Sequence, residues 1–186
     1  MRTFIAIEIS DSLKERLAEL QARLRKFVPN LKITLPHQLH LTLKFLGEIE
    51  EAELPELKSA FESIAAGHKP FDLNPKHLGT FGRPTNITVL WIGLTDPSNG
   101  LHQLHADLEF ALSRLGHPPE ERPFKPHLTL ARNKNPNFSR NIRRALDAEP
   151  PFKSAAEHVT KLTLYQSVLK ADAAVHTALS SHRLMP

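Results

Sequence analysis

One four-residue phrase occurs twice in this chain: His40-Leu41-Thr42-Leu43 returns as His127-Leu128-Thr129-Leu130. Both copies sit in apolar, β-prone surroundings, LHLTLKFL over 39–46 and FKPHLTLA over 124–131. Side chains two apart on a strand share a face. Each copy therefore turns its two leucines one way and its imidazole and hydroxyl the other. The fold must bury both leucine faces. If the two strands face each other across a cleft, it also gathers two histidines and two threonines around one small site. A single copy is an ordinary strand with a polar outer face. A duplicated structural strand keeps its apolar pattern and lets exposed residues drift, but here the outward polar pair matches along with the leucines.

Two imidazoles and two hydroxyls are the equipment for splitting a phosphodiester without a metal. One histidine takes a proton, the other gives one, and the threonines hold the phosphate oxygens. His40, Thr42, His127 and Thr129 are the candidate catalytic residues. The remaining histidines carry no such pattern. His102 and His105 stand three apart on a predicted helix, the spacing of a metal pair. However, His105 falls in the apolar stripe of that helix and no third ligand accompanies it, so a core or surface role is expected and no metal site is assigned.

The chain has 186 residues, enough for one domain or two small lobes sharing a core. Hydrophobic content of 40% and charged content of 24% are those of a globular chain. There is no cysteine, which excludes disulfides, thiolate zinc sites and cysteine nucleophiles. The N-terminal segment reads as a first strand rather than a signal peptide, and no run approaches a membrane span. A cytoplasmic chain with no membrane partner is expected. The net charge of +4 hints at an anionic partner, and its distribution says more. From Arg122 to Leu146 there is no Asp or Glu, while Arg122, Lys125, Arg132, Lys134, Arg140, Arg143 and Arg144 fall there around the second motif. A solvated basic face is the competing account for Arg140, Arg143 and Arg144. Residues flanking His127 are phosphate-contact candidates.

Element order also repeats. Residues 3–9 read as a strand, 12–27 as a helix capped by Ser10 or Ser12, 31–35 as a short strand, then the first motif strand, a helix over 51–66, and an extended segment from Pro70 to about residue 80. Residues 81–86 read as a midpoint loop. After it come a strand over 87–94, a helix over 98–115, the second motif strand, a short helix over 138–146, a Pro-Phe segment at 151–152 and a strand over 159–168. Residues 173–184 read as a last strand or hairpin. This order predicts a single domain over 1–186 built from pseudo-repeat halves of about 1–82 and 83–186, with the active groove between two lobes.

The pattern resembles the 2H phosphoesterase superfamily, and within it most closely the RNA 2′,3′-cyclic phosphodiesterases formerly called 2′-5′ RNA ligases. Their first motif typically reads Asn-Leu-His-Leu-Thr-Leu-Lys-Phe-Leu-Gly. Leu39 through Gly47 fit it, with Gln38 in place of the Asn. The second typically reads Phe-x-Pro-His-Leu-Thr-Leu-Ala-Arg, matched by Phe124, Pro126, His127, Leu128, Thr129, Leu130, Ala131 and Arg132. Further echoes are Leu78-Gly79-x-Phe81, Val89-Leu90-Trp91 and Leu164-Tyr165-x-Ser167. Two places depart. Many relatives carry an aromatic before the first motif, where this chain has Lys32-Ile33-Thr34. Many also end in a Gly-x-x-Tyr-like segment, where this chain has 171–177 with His176 near the Tyr position.

The resemblance implies an α+β, bilobal fold. Two pseudo-two-fold related lobes each carry a mainly antiparallel sheet and outer helices, with the active cleft between them. It implies hydrolysis of a 2′,3′-cyclic phosphate at an RNA end, or on a nucleoside, to the 2′-phosphate, with no cofactor. It makes His40 the proton donor and His127 the acceptor, an order the near-symmetric motifs themselves leave open. Arg132 and Lys125 would contact phosphate, and Phe45 and Phe124 would flank the base. A monomer is expected. Two other readings stay open: an RNA-binding module without turnover, and a 2H enzyme acting on another cyclic nucleotide or on 2′-5′ ligation of RNA ends.

Overall fold

The computed structural model describes residues 1–170 and 174–185. In chain order the elements are β1 (Arg2–Glu8), α1 (Asp11–Phe27), β2 (Lys32–Ile33), β3 (His40–Glu48), α2 (Leu54–Ala66), β4 (Phe71–Arg83), β5 (Asn86–Thr95), α3 (Gly100–Ser113), β6 (His127–Arg132), α4 (Ser139–Ala148), β7 (Glu157–Val159), β8 (Lys161–Leu169) and β9 (Ala174–Arg183). Of the segment where the resemblance expects a terminal aromatic, 171–173 lie outside the described residues. The rest opens β9.

The strands form one antiparallel sheet in the order β7-β4-β5-β6-β3-β1-β8-β9, with β2 on β6. Its two wings meet where β3 touches β6, at the pair Leu41 and Leu128. One wing holds β1, β3, β8 and β9, the other β2, β4, β5, β6 and β7. The wings are not the two halves of the sequence. The last long strand of the first half, β4, pairs with β5 of the second, while β8 of the second half returns to pair with β1. Residues 81–86 are therefore not a loop between lobes. β4 runs to Arg83 and β5 starts at Asn86, leaving a two-residue hairpin turn at Pro84-Thr85. Gly82, at φ +108°, takes a conformation open to glycine, and a Cβ there would lie 2.3 Å from the Asn86 carbonyl.

The helices cover the leucine face. Along α1, Leu13, Leu17, Leu20 and Leu24 recur at the helical period and are buried. Each such leucine contributes roughly 1.5–3 kcal/mol by leaving water. Ser10 caps the helix, its hydroxyl accepting from the Leu13 amide. The Ser10 amide and hydroxyl both donate to buried Glu157 at 2.6 and 2.7 Å, which ties the helix start to β7. Leu41, Leu43, Leu128 and Leu130 are all buried on this face. Among the described residues no helix is long and apolar enough to cross a membrane.

Candidate active site

The β3–β6 contact sets the site. Leu41 opposite Leu128 in an antiparallel pair places, one residue to either side, His40 beside Thr129 and Thr42 beside His127. All four line one cleft of about 550 Å³ on the face away from the helices. A second hollow, of about 610 Å³ between α1 and residues 150–153, holds none of them.

Each histidine is fixed by the main chain two residues before it. Nδ1 of His127 lies 2.6 Å from the Lys125 carbonyl, and His40 makes the equivalent bond to the backbone of Gln38. Donation from Nδ1–H of His127 leaves its Nε2 for chemistry. Rings then confine each imidazole. His40 sits 4.9 Å from Phe4, and His127 meets Phe81 edge-on at 4.9 Å. Burial drives the His40 imidazole down to about 4, helped by the nearby His176 and His127 and opposed by its backbone bond. Burial also lowers His127, with Lys125 and Arg132 adding to the effect against the Lys125 carbonyl.

Strict alternation from His40 and Thr42 would put Lys44 in the cleft and bury Phe45. A bulge at Leu43 reverses this. Ala6 opposes Thr42 and Ile5 opposes Lys44, so Leu43 is the extra residue. Lys44 consequently turns to the helix side, where it is 1% exposed, and its ammonium donates to both Glu109 oxygens at 2.9 and 2.8 Å and to the Pro118 carbonyl at 2.8 Å. Phe45, 57% exposed, swings into the cleft. β6 repeats the device: Trp91 opposes Thr129 and Leu90 opposes Ala131, so Leu130 is extra and Arg132 enters the cleft. The Leu130 carbonyl at that bulge accepts from the Thr34 amide and from buried Gln21 of α1.

Of the sequence-predicted residues, His40, Thr42, His127, Thr129, Phe45 and Arg132 line the cleft together. Phe124 does not. Its ring stacks on His105 at 3.9 Å and 9°, packed against the core, because the stretch before β6 is still on the helix side of the sheet. The Lys125 ammonium sits 4.5 Å over the Trp91 ring, outside the cleft lining, and its carbonyl positions His127. Arg140, Arg143 and Arg144 lie exposed on α4, away from the cleft. His102 pairs with Asp96, and His105 stacks on Phe124. Among the described residues no three His, Asp or Glu side chains are grouped to hold a metal ion. Sequence reasoning missed Phe4, Lys32, Lys134 and His176 as cleft residues. Lys134 lies two residues past Arg132 in the basic stretch, a signal that was available. Phe4 and His176 reach the cleft only through long-range strand pairing.

The profile of the 2′-5′ RNA ligase superfamily matches residues 9–168. The chain belongs to this superfamily. A relative named RNA 2′,3′-cyclic phosphodiesterase from Methanocaldococcus jannaschii is 31% identical over 96% of this chain and 98% of its own length. One of the same name from Methanothermobacter thermautotrophicus is 26% identical over 99% of both. Among solved structures, TT0787 of Thermus thermophilus superposes with a TM-score of 0.84 at 31% identity over 99% of this chain and 98% of that one. Escherichia coli LigT complexed with 3′-AMP superposes with a TM-score of 0.75 at 27% identity over 100% and 98%. These likenesses give the chain the α+β fold of the 2H phosphoesterases.

Proposed function

We propose that this chain hydrolyses RNA 2′,3′-cyclic phosphate ends to 2′-phosphates by two-histidine acid–base catalysis without a metal. The observation that carries the reading is the Leu41–Leu128 pairing, which sets each motif histidine beside the other motif's threonine in one cleft. The names borne by its relatives support the substrate class.

In this reading one neutral imidazole takes a proton from water, and the water oxygen bonds to phosphorus. The P–O3′ bond breaks, and the protonated imidazole donates to the departing 3′ oxygen, leaving a 3′-hydroxyl and a 2′-phosphate. The two rings have then exchanged charge states and reset through solvent. Thr42 and Thr129 donate to the non-bridging oxygens, whose charge rises as the bond to water forms. Following the family pattern, His40 is the donor. Burial keeps His40 neutral near pH 7 in the free cleft, so it takes up its proton from solvent as the phosphate anion binds, because that charge raises both imidazoles. Arg132 neutralises the phosphate and Phe45 offers its face to the base.

The test is phosphorus NMR of the purified chain with excess EDTA and either a nucleoside 2′,3′-cyclic phosphate or a short RNA ending in one. Accumulation of the 2′-phosphate is expected. Activity lost on chelation and restored by a metal would refute the metal-free mechanism. Binding without turnover would leave an RNA-binding module.

A further inference from the structure

A third imidazole stands in the cleft. His176 of β9 meets His40 edge-on, with ring centroids 5.4 Å apart at 90°, and meets Phe4 at 4.9 Å and 78°. Its place is fixed. The Gln38 side-chain amide donates to the Ala174 carbonyl at 2.7 Å, a bond two residues before His40 on one side and two before His176 on the other. Its Nδ1 is enclosed and has no hydrogen-bond partner among the described residues. Burial lowers this imidazole, which keeps it neutral near pH 7 with a single ring proton. An enclosed N–H with no acceptor is rarer than a bare enclosed acceptor, so we assign the proton to Nε2, the ring nitrogen that is not among the enclosed, partnerless atoms. An apolar ring would fill this corner without stranding a nitrogen. The imidazole is explained if its free donor meets something that arrives in the cleft.

We propose that His176 is a substrate-seating residue, donating its Nε2 proton to a phosphate oxygen of the nucleotide held beside His40. The inference rests on the cyclic phosphodiesterase reading and concerns binding rather than proton transfer to the leaving group.

Two variants separate the donor from the ring. His176→Phe keeps the ring and loses the donor; it is expected to raise KM for a nucleoside 2′,3′-cyclic phosphate about 10-fold, the effect of one hydrogen bond to a charged group, with kcat within about 3-fold. His176→Gln keeps a donor and loses the ring; it is expected to recover most of that KM. A packing role alone would give the reverse order, with Phe like the parent and Gln impaired, and would overturn the proposal. In the unaltered chain, nitrogen NMR follows the Nε2 resonance of His176, assigned from its absence in whichever of the two variants folds. Inorganic phosphate and adenosine 2′-phosphate should shift it and adenosine should not. No shift with either phosphate, or an equal shift with adenosine, would overturn the assignment even if a variant fails to fold. A parent chain without turnover would fail the functional reading separately, while the phosphate titration would still decide the role of His176.

Discussion

Phe45 and Arg132 occupy equivalent positions. Each lies five residues after a motif histidine, and each is turned into the cleft by a bulge at the last leucine of its motif. One position carries an aromatic ring and the other a guanidinium, so two motif strands with the same bulge support a cleft whose sides differ. Phe4 and Phe45 gather on the β1–β3 side. Lys32, Arg132 and Lys134, three of the four Lys and Arg residues lining the cleft, gather on the β2–β6 side. A nucleotide end has the same two characters, a stackable base and an anionic backbone.

Phe45→Ala and Arg132→Ala should fail in different ways. Losing the ring is expected to raise KM roughly 5- to 150-fold, the range of one base–aromatic stack, with little change in salt dependence. Losing the guanidinium is expected to lower kcat/KM and flatten its dependence on ionic strength, since one phosphate contact fewer displaces counterions. Steady-state kinetics at two salt concentrations distinguish them. Equal salt slopes in parent and Arg132→Ala would remove Arg132 from the phosphate.

His40→Ala and His127→Ala should each lower turnover at least ~100-fold, the low end for a general acid or base. The double variant should be little worse than either single one, because the two act as a unit. Circular dichroism of each variant checks the fold, and near-parent turnover in either folded variant would end the two-histidine mechanism.

The four catalytic candidates were legible because strand periodicity is local: the parity of His40 and Thr42 against Leu41 and Leu43 needs no knowledge of the rest of the chain. Phe45 was named beside the resemblance, and Arg132 from it and from the basic stretch around His127, whereas alternation alone sends both to the core. A bulge reverses parity and is stabilised by partners far away in sequence, Gln21 for one and Glu109 for the other, so no window around the motif reveals it. Phe124 misled for the converse reason: nearness in sequence to His127 does not place a side chain on the cleft face when the strand begins only at the histidine. The midpoint loop was misread because Gly-Arg-Pro-Thr marks a tight turn as readily as a linker. Only the long β4–β5 ladder shows which it is.

Among the described residues Lys44 is the only lysine in the core, and its ammonium joins the first motif strand to α3 and to the segment leading into the second. Lys44→Met is expected to destabilise the chain by about 3 kcal/mol, the low end for breaking a buried pair, because the poorly solvated Glu109 carboxylate loses its ammonium and keeps only the Glu120 amide and the His105 ring beside it. Lys44→Met combined with Glu109→Leu should recover much of the loss, since an apolar replacement of both partners removes the stranded charge. Urea denaturation of the parent, the single variant and the double variant measures this. A single variant as stable as the parent would show that the pair contributes nothing to the β3 bulge.

The pH profile should report the enclosed imidazoles. kcat/KM follows the free enzyme, where the base must be neutral and the acid protonated. Burial lowers both rings, His40 to about 4, so the free cleft is best poised on the acid side of the ordinary histidine value. As pH rises from there the acid loses its proton, and as pH falls the base gains one. The kcat/KM bell is therefore expected to peak below about pH 6.5, the ordinary histidine value from which both rings are lowered. kcat follows the bound state, in which the phosphate anion favours the charged form of each ring, so its bell should lie at higher pH than that of kcat/KM. Because the rings interact, the limbs belong to the pair rather than to His40 or His127 alone. Measuring both profiles with one nucleoside 2′,3′-cyclic phosphate decides the matter. A kcat/KM optimum above about pH 7 would mean that the two rings are not both depressed in the free cleft, and coincident bells would mean that the substrate anion does not raise the acid.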